Sequence, residues 1–382
     1  MVEHEAASPS PGRVRLVVLY GGRSAEHEVS CISGFHVAAA VDRRRYDLRL
    51  VGITTDGRWV DTTAQALESG VRSLPTPDRV LAEHPDQEAG ISDLGGADPA
   101  AAAGNPRPGP LVVLPLVHGP MGEDGTVQGL LELAGLPYCG PGVAGSAVAM
   151  DKGLAKSLLT AAGLPQARYL YFAETELLGP DGGLDPVPTG RIEQALGWPV
   201  FVKPANMGSS IGISKVKDPG GLDAAVTLAL RYDTALVVEE AVTAREIEMG
   251  VLGWPDVRTS VPGEIKPSHD FYDFEDKYLD GSAALEIPAR VPDEVAERMS
   301  DLARAACRAL RIDSMARVDF FYEEDGRGLL INEVNTIPGF TPISMYPQMW
   351  GASGIAYSDL VDVLVEQALL RAERRGRFET GR

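Results

Sequence analysis

Four polar residues in the last fifth of the sequence have the spacing of strand neighbours. Arg317 and Asp319 are two apart in ARVDFF, and Glu333 and Asn335 are two apart in LLINEVN. Alternate residues of a strand share a face, so each pair points one way. A turn at Asp325-Gly326 would fold the strands into a hairpin and bring the pairs together. If the loop is odd (325–327) or the hairpin is bulged, Glu333 stands opposite Asp319 and Asn335 opposite Arg317. Two carboxylates and an amide oxygen on one face make a hard-oxygen set suited to Mg2+. Without a cation, carboxylates this close would repel. The plainer alternative is a solvated sheet face with incidental acids. Phe320, Leu330 and Ile331 are expected on the opposite, buried face.

Two lysines suggest phosphate chemistry. Lys152 stands in the first turn of an expected helix, where the macrodipole disfavours a cation unless an anion is near. Lys203 ends an apolar strand, and Gly208-Ser209-Ser210-Ile211-Gly212 follows shortly after. Such a small-residue loop can fold over phosphates and offer them backbone N–H groups. No GxxxxGK[ST] motif occurs, so this is not a Walker loop. Taken singly, Lys152 reads as well as a solvated lysine and Lys203 as a strand-end snorkel. Together with the loop they favour phosphate binding.

Three glycine-rich turns could hold a substrate. Gly21-Gly22-Arg23-Ser24-Ala25-Glu26 follows the first strand and lets backbone approach a ligand closely, but it is not GxGxxG. Alone, its glutamates could be solvated residues of a first helical turn. His118-Gly119-Pro120-Met121-Gly122-Glu123-Asp124-Gly125 closes another strand, where ligands of open α/β sheets collect. His118 there is a structural residue or a catalyst. Asn335 to Ser344 contains Pro338-Gly339, and the Gly339 N–H with Arg317 would suit an oxyanion.

These groups need strands and helices to carry them. Apolar runs at 14–20, 46–54 and 111–116, with a helix over 25–41, indicate an α/β domain with a parallel sheet. Further strands are expected at 200–203, 213–216, 236–240, 247–252, 317–322 and 329–335, and helices at 150–162, 222–231, 292–310 and 357–375. Residues 62–109, rich in Ala, Gly, Pro and Asp, read as an inserted loop, and 178–190 as a surface loop. Residues 1–12 read as a disordered tail without the pattern of a signal peptide.

Composition narrows the class. The 382 residues suit two or three domains, and 44% are hydrophobic, enough for real cores. A net charge of −19 argues against nucleic-acid binding, which needs a basic surface. It does not exclude ATP, because a local cluster of lysines can reverse the field in one cleft. Cys31, Cys139 and Cys307 form no CxxC and suggest reduced thiols. No apolar run is long enough to span a membrane.

The segments GGRSAEHEVS, HGPMGEDGTVQG, MDKGLAK, FVKPANMGSSIGISKV, YDFEDKY, ARVDFF and NEVNTIPGF, in this order, resemble the D-alanine–D-alanine ligase family over about residues 14–366. The resemblance implies a three-domain α/β ATP-grasp fold: an N-terminal parallel-sheet domain (13–148), a central subdomain (149–241) and a C-terminal subdomain (242–382). A loop near 270–282 would cover the substrates. ATP would lie between the last two domains, its phosphates on Lys152, Lys203 and the Ser209-Ser210 loop, and its adenosine near Glu239, Glu240, Val242 and Glu246. Asp319, Glu333 and Asn335 match ligands of two Mg2+ or Mn2+ ions.

Glu26 matches the carboxylate that holds the first D-alanine's ammonium, with Ser209 and Tyr278 bonded to it and His118 near that substrate's carboxylate. Lys277, Ser344 and the Met345 backbone match the surroundings of the second D-alanine, and Arg317 with Gly339 the oxyanion site. The expected activity is ATP-dependent formation of D-alanyl-D-alanine through an acyl phosphate, by a cytoplasmic homodimer without nucleic-acid or membrane partners. D-lactate and D-serine ligases share most of these motifs, and Tyr278 favours the dipeptide former. Residues 62–109 and 180–190 match nothing in detail.

Overall fold

The computed structural model describes residues 12–68, 76–83, 88–90, 109–179, 188–253, 255–266 and 284–379. The chain opens with β1 (Val14–Gly21), α1 (His27–Ala40), β2 (Tyr46–Ile53), β3 (Trp59–Asp61), α2 (Thr63–Glu68), α3 (Pro77–Glu83), β4 (Glu88–Ala89) and β5 (Leu111–Pro115). Next come α4 (Thr126–Leu133), α5 (Val143–Met150), α6 (Lys152–Ala161), β6 (Tyr169–Ala173), α7 (Thr189–Leu196), β7 (Val200–Pro204), β8 (Ser214–Val216), α8 (Leu222–Ala229) and β9 (Ala235–Glu240). The last part holds β10 (Arg245–Gly253), β11 (Arg258–Lys266), β12 (Ala284–Glu286), α9 (Asp293–Ala309), β13 (Ser314–Glu323), β14 (Gly328–Asn335), α10 (Met345–Ala352) and α11 (Tyr357–Arg375).

Three sheets result. The first runs β4-β3-β2-β1-β5; β1 is parallel to both β2 and β5, as its continuous apolar run implied. The second, β6-β9-β7-β8, and the third, β12-β11-β10-β13-β14, are antiparallel. Each has its own core. The second sheet packs Val200, Val202 and Val238 against Ile192 of α7 and Val226 of α8. The third packs Val318, Phe320 and Ile331 against Met299 and Leu302 of α9. The first sheet's core is completed from the far end of the chain: Leu16, Val18 and Tyr20 pack in one cluster with Trp350, Leu360, Leu364 and Val365.

Several expectations need correction. The helix expected over 150–162 is α6, starting two residues later: Met150 closes the separate helix α5, and Asp151 caps α6 by accepting from Leu154 N at 2.9 Å. The stretch 62–109 is not simply a loop, because it contributes α2, α3 and β4. Tyr20 Oη and Thr62 Oγ1 share a 2.7 Å hydrogen bond, Ala66 is fully buried, and Val80 and Leu81 pack on Val60. Residues 69–75, 84–87 and 91–108 of that stretch lie outside the described residues, as do 1–11 of the expected tail. So do 180–187 of the loop expected at 178–190, where α7 begins within the expected span. The three cysteines are free, as expected. Among the described residues no helix is long and apolar enough to cross a membrane.

One side chain ties three parts of the fold together. Arg371 of α11 is 8% exposed and donates to the carbonyls of Gly140 and Tyr138. It also pairs with Asp313 at 3.1 Å and lies 4.4 Å over the Tyr138 ring. Removing it leaves a carboxylate and two carbonyls short of partners in a closed space. Arg371→Met is therefore expected to destabilise the fold by about 3–5 kcal/mol. Thermal unfolding checks this; an unchanged midpoint would show that the contacts are incidental.

Candidate active site

The third sheet presents a polar face toward the cleft. Across the β10–β13–β14 register, Glu248 lies opposite Asp319, Asp319 opposite Glu333, and Arg317 opposite Asn335. Glu246 is two residues before Glu248 and so shares its side of the sheet. The hairpin reaches this register by its second route. Glu323 pairs with Gly328, so the loop is the even 324–327, and a bulge between Asp319 and Phe320 restores the pairing. The bulge also corrects one expectation: Leu330 pairs with Phe321, not Phe320, and therefore stands on the Asp319 side. Phe320 and Ile331 are on the core side as expected.

Charge on this face is dense. Arg317 grips Asp319 through Nε and Nη2, both at 2.7 Å, and approaches Glu248 at 3.0 Å. Burial works against its charge, but Asp319 and Glu248 hold the guanidinium firmly protonated. Asn335 Nδ2 donates to Asp319 Oδ2 at 2.9 Å, which leaves the amide oxygen as an acceptor. Among the described residues no cluster of three or more His, Cys, Asp or Glu has metal-binding geometry. The donor set is instead two carboxylates and an amide oxygen, and four acids share the face with one arginine. Hard-oxygen donors with surplus negative charge fit a divalent cation.

Opposite this face stand the lysines. Lys152 is the first residue of α6, and its Nζ donates to Met207 O in the small-residue loop. Lys203 on β7 pairs with the buried Glu239 on β9, and Glu239 also pairs with Lys156 of α6. Burial alone would raise the Glu239 carboxyl, but Lys156 and Lys203 pull it down to about 2. Burial opposes the Lys203 charge, and Glu239 restores it, leaving the lysine more basic than usual. Ser209 and Ser210 occupy the left-handed region at φ +49° and +59°, so this loop carries backbone strain.

The first sheet supplies a third wall. Glu26 caps α1, is 5% exposed, and its Oε1 accepts from Ser209 Oγ across 183 positions of sequence. Its Oε2 is sealed from solvent and has no hydrogen-bond partner among the described residues. Ser24 Oγ donates to His118 O at 2.7 Å and accepts from Glu26 N at 3.2 Å, which ties the two glycine-rich turns together. Burial keeps His118 neutral against the opposing pull of Glu26. Its Nδ1 must donate to Ile337 O at 3.1 Å, so Nε2 accepts from Ser33 Oγ at 3.1 Å. Enclosure and the nearby Glu26 raise the Glu123 carboxyl well above its ordinary range, although Gly119 N donates to it at 2.9 Å.

Most expected residues thus converge, with exceptions. Glu240 turns away from Glu239: its carboxylate accepts from Arg168 Nε at 2.7 Å and pairs with Arg327 of the β13–β14 turn, so its backbone is what it can offer a nucleotide. Val242 follows it, partly buried, before β10 begins. Ser344 Oγ is engaged by Thr341 N at 3.1 Å and Thr341 Oγ1 at 2.8 Å. The Met345 side chain packs with Ile265 and Met349, which leaves its backbone as the part that could serve a ligand. Gly339 lies against Ser344, whose Oγ a Cβ would meet at 3.1 Å. Lys277, Tyr278 and the covering loop 270–282 lie outside the described residues. Lys156, Glu248 and Glu123 were not singled out from sequence. The spacing of Lys156, four residues after Lys152, and of Glu248, two after Glu246, was the available signal.

Comparison with known proteins agrees with this geometry. A family model described as D-ala D-ala ligase N-terminus matches residues 15–141, and one described as D-ala D-ala ligase C-terminus matches residues 158–366. The D-alanine--D-alanine ligase of Paenarthrobacter aurescens is 44% identical over 387 residues, covering 96% of this chain and 97% of its own. The structure of the D-alanine-D-alanine ligase from Coxiella burnetii superposes with a TM-score of 0.79 at 33% identity, covering 96% of this chain and 97% of that one. The VanG D-Ala:D-Ser ligase from Enterococcus faecalis gives 0.77 at 32% identity, covering 93% and 99%.

Two outcomes are expected. Gly119 has φ +76°, and a Cβ there would stand 2.5 Å from Glu26 Oε2. Gly119→Ala should cut turnover by about tenfold or more through displacement of Glu26; steady-state assays on the folded variant decide. Because the Glu239 value is depressed from 4.5 to about 2, its stabilisation is complete above pH 4.5 and is lost as pH falls toward 2. Urea midpoints measured between pH 6 and pH 3 should fall less steeply for Glu239→Gln than for the unaltered protein, and equal slopes would refute the assignment.

Proposed function

The chain belongs to the D-alanine–D-alanine ligase family, and we propose that it joins two molecules of D-alanine, driven by ATP, for peptidoglycan precursor synthesis. The observation that carries this reading is the sealed, unpartnered Oε2 of Glu26. A buried carboxylate oxygen without a donor is costly unless a ligand brings one. An amino acid's ammonium is such a donor, and Glu26 lies at the meeting point of the glycine-rich turns and the loop that bears Ser209.

In this reading the first D-alanine binds with its ammonium on Glu26 and its carboxylate toward His118 and the cleft. ATP lies with its phosphates on Lys152, Lys203 and the loop of Ser209 and Ser210, and its adenosine along Glu239, the Glu240–Val242 backbone and Glu246. The substrate carboxylate attacks the γ-phosphorus, ADP leaves, and an acyl phosphate forms. Asp319, Glu333 and Asn335 would hold two divalent ions, Mg2+ or Mn2+, which would supply positive charge to offset that of the phosphates. Among the described residues Arg317 is the one cation on that acidic face. The second D-alanine enters beside Ser344 and the Met345 backbone, loses a proton from its ammonium, and attacks the acyl carbon. Arg317 and the Gly339 N–H face the resulting oxyanion, and phosphate departs. The chain is proposed to work in the cytoplasm as a homodimer.

Phosphate release with ATP, Mg2+ and D-alanine tests the reading, with products identified by mass. Release with D-alanine alone, yielding the dipeptide, and no release with L-alanine are expected. Release that requires D-serine or D-lactate as the second substrate would keep the ATP chemistry and overturn the choice of nucleophile.

A further inference from the structure

Beneath the cleft a buried carboxylate lies between two lysines, and the mechanism above uses only one of them. Lys156 follows Lys152 by four residues on α6, so the helix directs both toward the same side. Lys152 reaches the loop carbonyl of Met207, while Lys156 pairs with Glu239 Oε1. Lys203 takes the other oxygen, Oε2. The lysines differ in access: the Lys156 side chain is 3% exposed with its Nζ sealed from solvent, and the Lys203 side chain is 12% exposed. The stem of Lys156 lines the cavity beside Lys152, Met207 and Glu333, but its ammonium is sealed, and Lys203 is the more accessible of the two.

We propose that Lys156 is a positioning residue for ATP: by sharing Glu239, it keeps the Lys203 ammonium from being neutralised and so leaves it available to the polyphosphate. The inference rests on the reading that ATP binds in this cleft. Its physics is a count of charge. Two lysines and one glutamate carry a net charge of +1, whereas Lys203 and Glu239 alone carry none. In a buried site an isolated ion pair acts on a nearby anion only as a dipole, whose field falls off faster with distance than that of a net charge. Without Lys156 both Glu239 oxygens would also be free to draw Lys203 down, away from the cleft. The Tyr169 ring lies 5.5 Å from Lys156 Nζ, a distance at which a ring face attracts a cation.

The test uses full-length protein and Mg-ATP without D-alanine, titrated by calorimetry, together with steady-state kinetics. Lys156→Met should weaken ATP binding about tenfold or more and raise the KM for ATP by a similar factor, with the KM for D-alanine unmoved. Lys156→Arg, which keeps the charge, should bind nearly as the unaltered protein. The deciding variant is Lys156→Met combined with Glu239→Gln. Once Glu239 carries no charge, removal of Lys156 no longer neutralises Lys203, so the double variant should bind ATP within about threefold of Glu239→Gln alone. A purely structural role for Lys156 predicts that the two losses accumulate instead.

ATP affinity unchanged in Lys156→Met, or a double variant about tenfold or more weaker than Glu239→Gln, overturns the proposal. If Lys156→Met alone does not fold, Glu239→Gln and the double variant decide. The proposal requires them to bind ATP within about threefold of each other, since Lys156 acts only through a charged Glu239. An unaltered protein that binds ATP but forms no dipeptide overturns the substrate reading and leaves these titrations valid. One that binds no ATP overturns both.

Discussion

The bulge in the β13–β14 hairpin is the constraint on which the site depends. A four-residue turn would by itself set Glu333 and Asn335 out of phase with Asp319 and Arg317. The extra residue shifts the second strand by one, and a shift of one reverses every side chain beyond it. Before the bulge, Tyr322, Phe320, Leu329 and Ile331 serve the core; beyond it, Val318 and Val334 continue that core while Arg317, Asp319, Glu333 and Asn335 hold the cleft side. One inserted position thus lets a short turn and a correctly phased polar face coexist. Asn332, the residue without a partner in the register, is where the two requirements are reconciled.

A second organising fact is that an acidic protein builds a cationic pocket by local pairing. The chain carries −19 overall, yet Lys156 and Lys203 meet around a single carboxylate, Glu239, and Lys152 stands one helical turn before Lys156 on the Met207 carbonyl. Across the cleft the balance is reversed, with Glu246, Glu248, Asp319 and Glu333 around Arg317. Fields inside a closed cleft are set by the few groups that line it, and solvent screens the rest. The lysine wall suits phosphate oxygens and the acidic wall suits cations, so a nucleotide and its counter-ions can lie between them without either wall being neutralised.

Sequence spacing made much of this legible, and its failures share a cause. Period-two pairs located Arg317, Asp319, Glu333 and Asn335, and a lysine at a helix start located Lys152, because each signal is local. Lys156 and Glu248 escaped notice because their roles depend on partners in other elements: Glu239 from β9 for one, Arg317 from β13 for the other. Leu330 was placed on the wrong face because alternation holds only between bulges. The stretch 62–109 looked like a loop because α2 and α3 are short and Ala- or Pro-bearing. Their order comes from Tyr20, Leu50 and Val60, which precede them in the chain and receive Thr62, Ala66 and Val80. The nine expected strands and five expected helices all have counterparts, since the pattern that marks each is local to it.

The core beneath the first sheet has a consequence for how the protein comes into being. Leu16, Val18 and Tyr20 leave the ribosome long before Leu360, Leu364 and Val365, which cover them. The sheet can pair β1 with β2 and β5 early, but one side of it stays uncovered until α11 has been made. Shielding of that surface during synthesis becomes a requirement of the architecture, and docking of α11 acts as a late step that closes the core. Loss of α11 would therefore be felt first far away along the chain, in the sheet that bears the Glu26 turn.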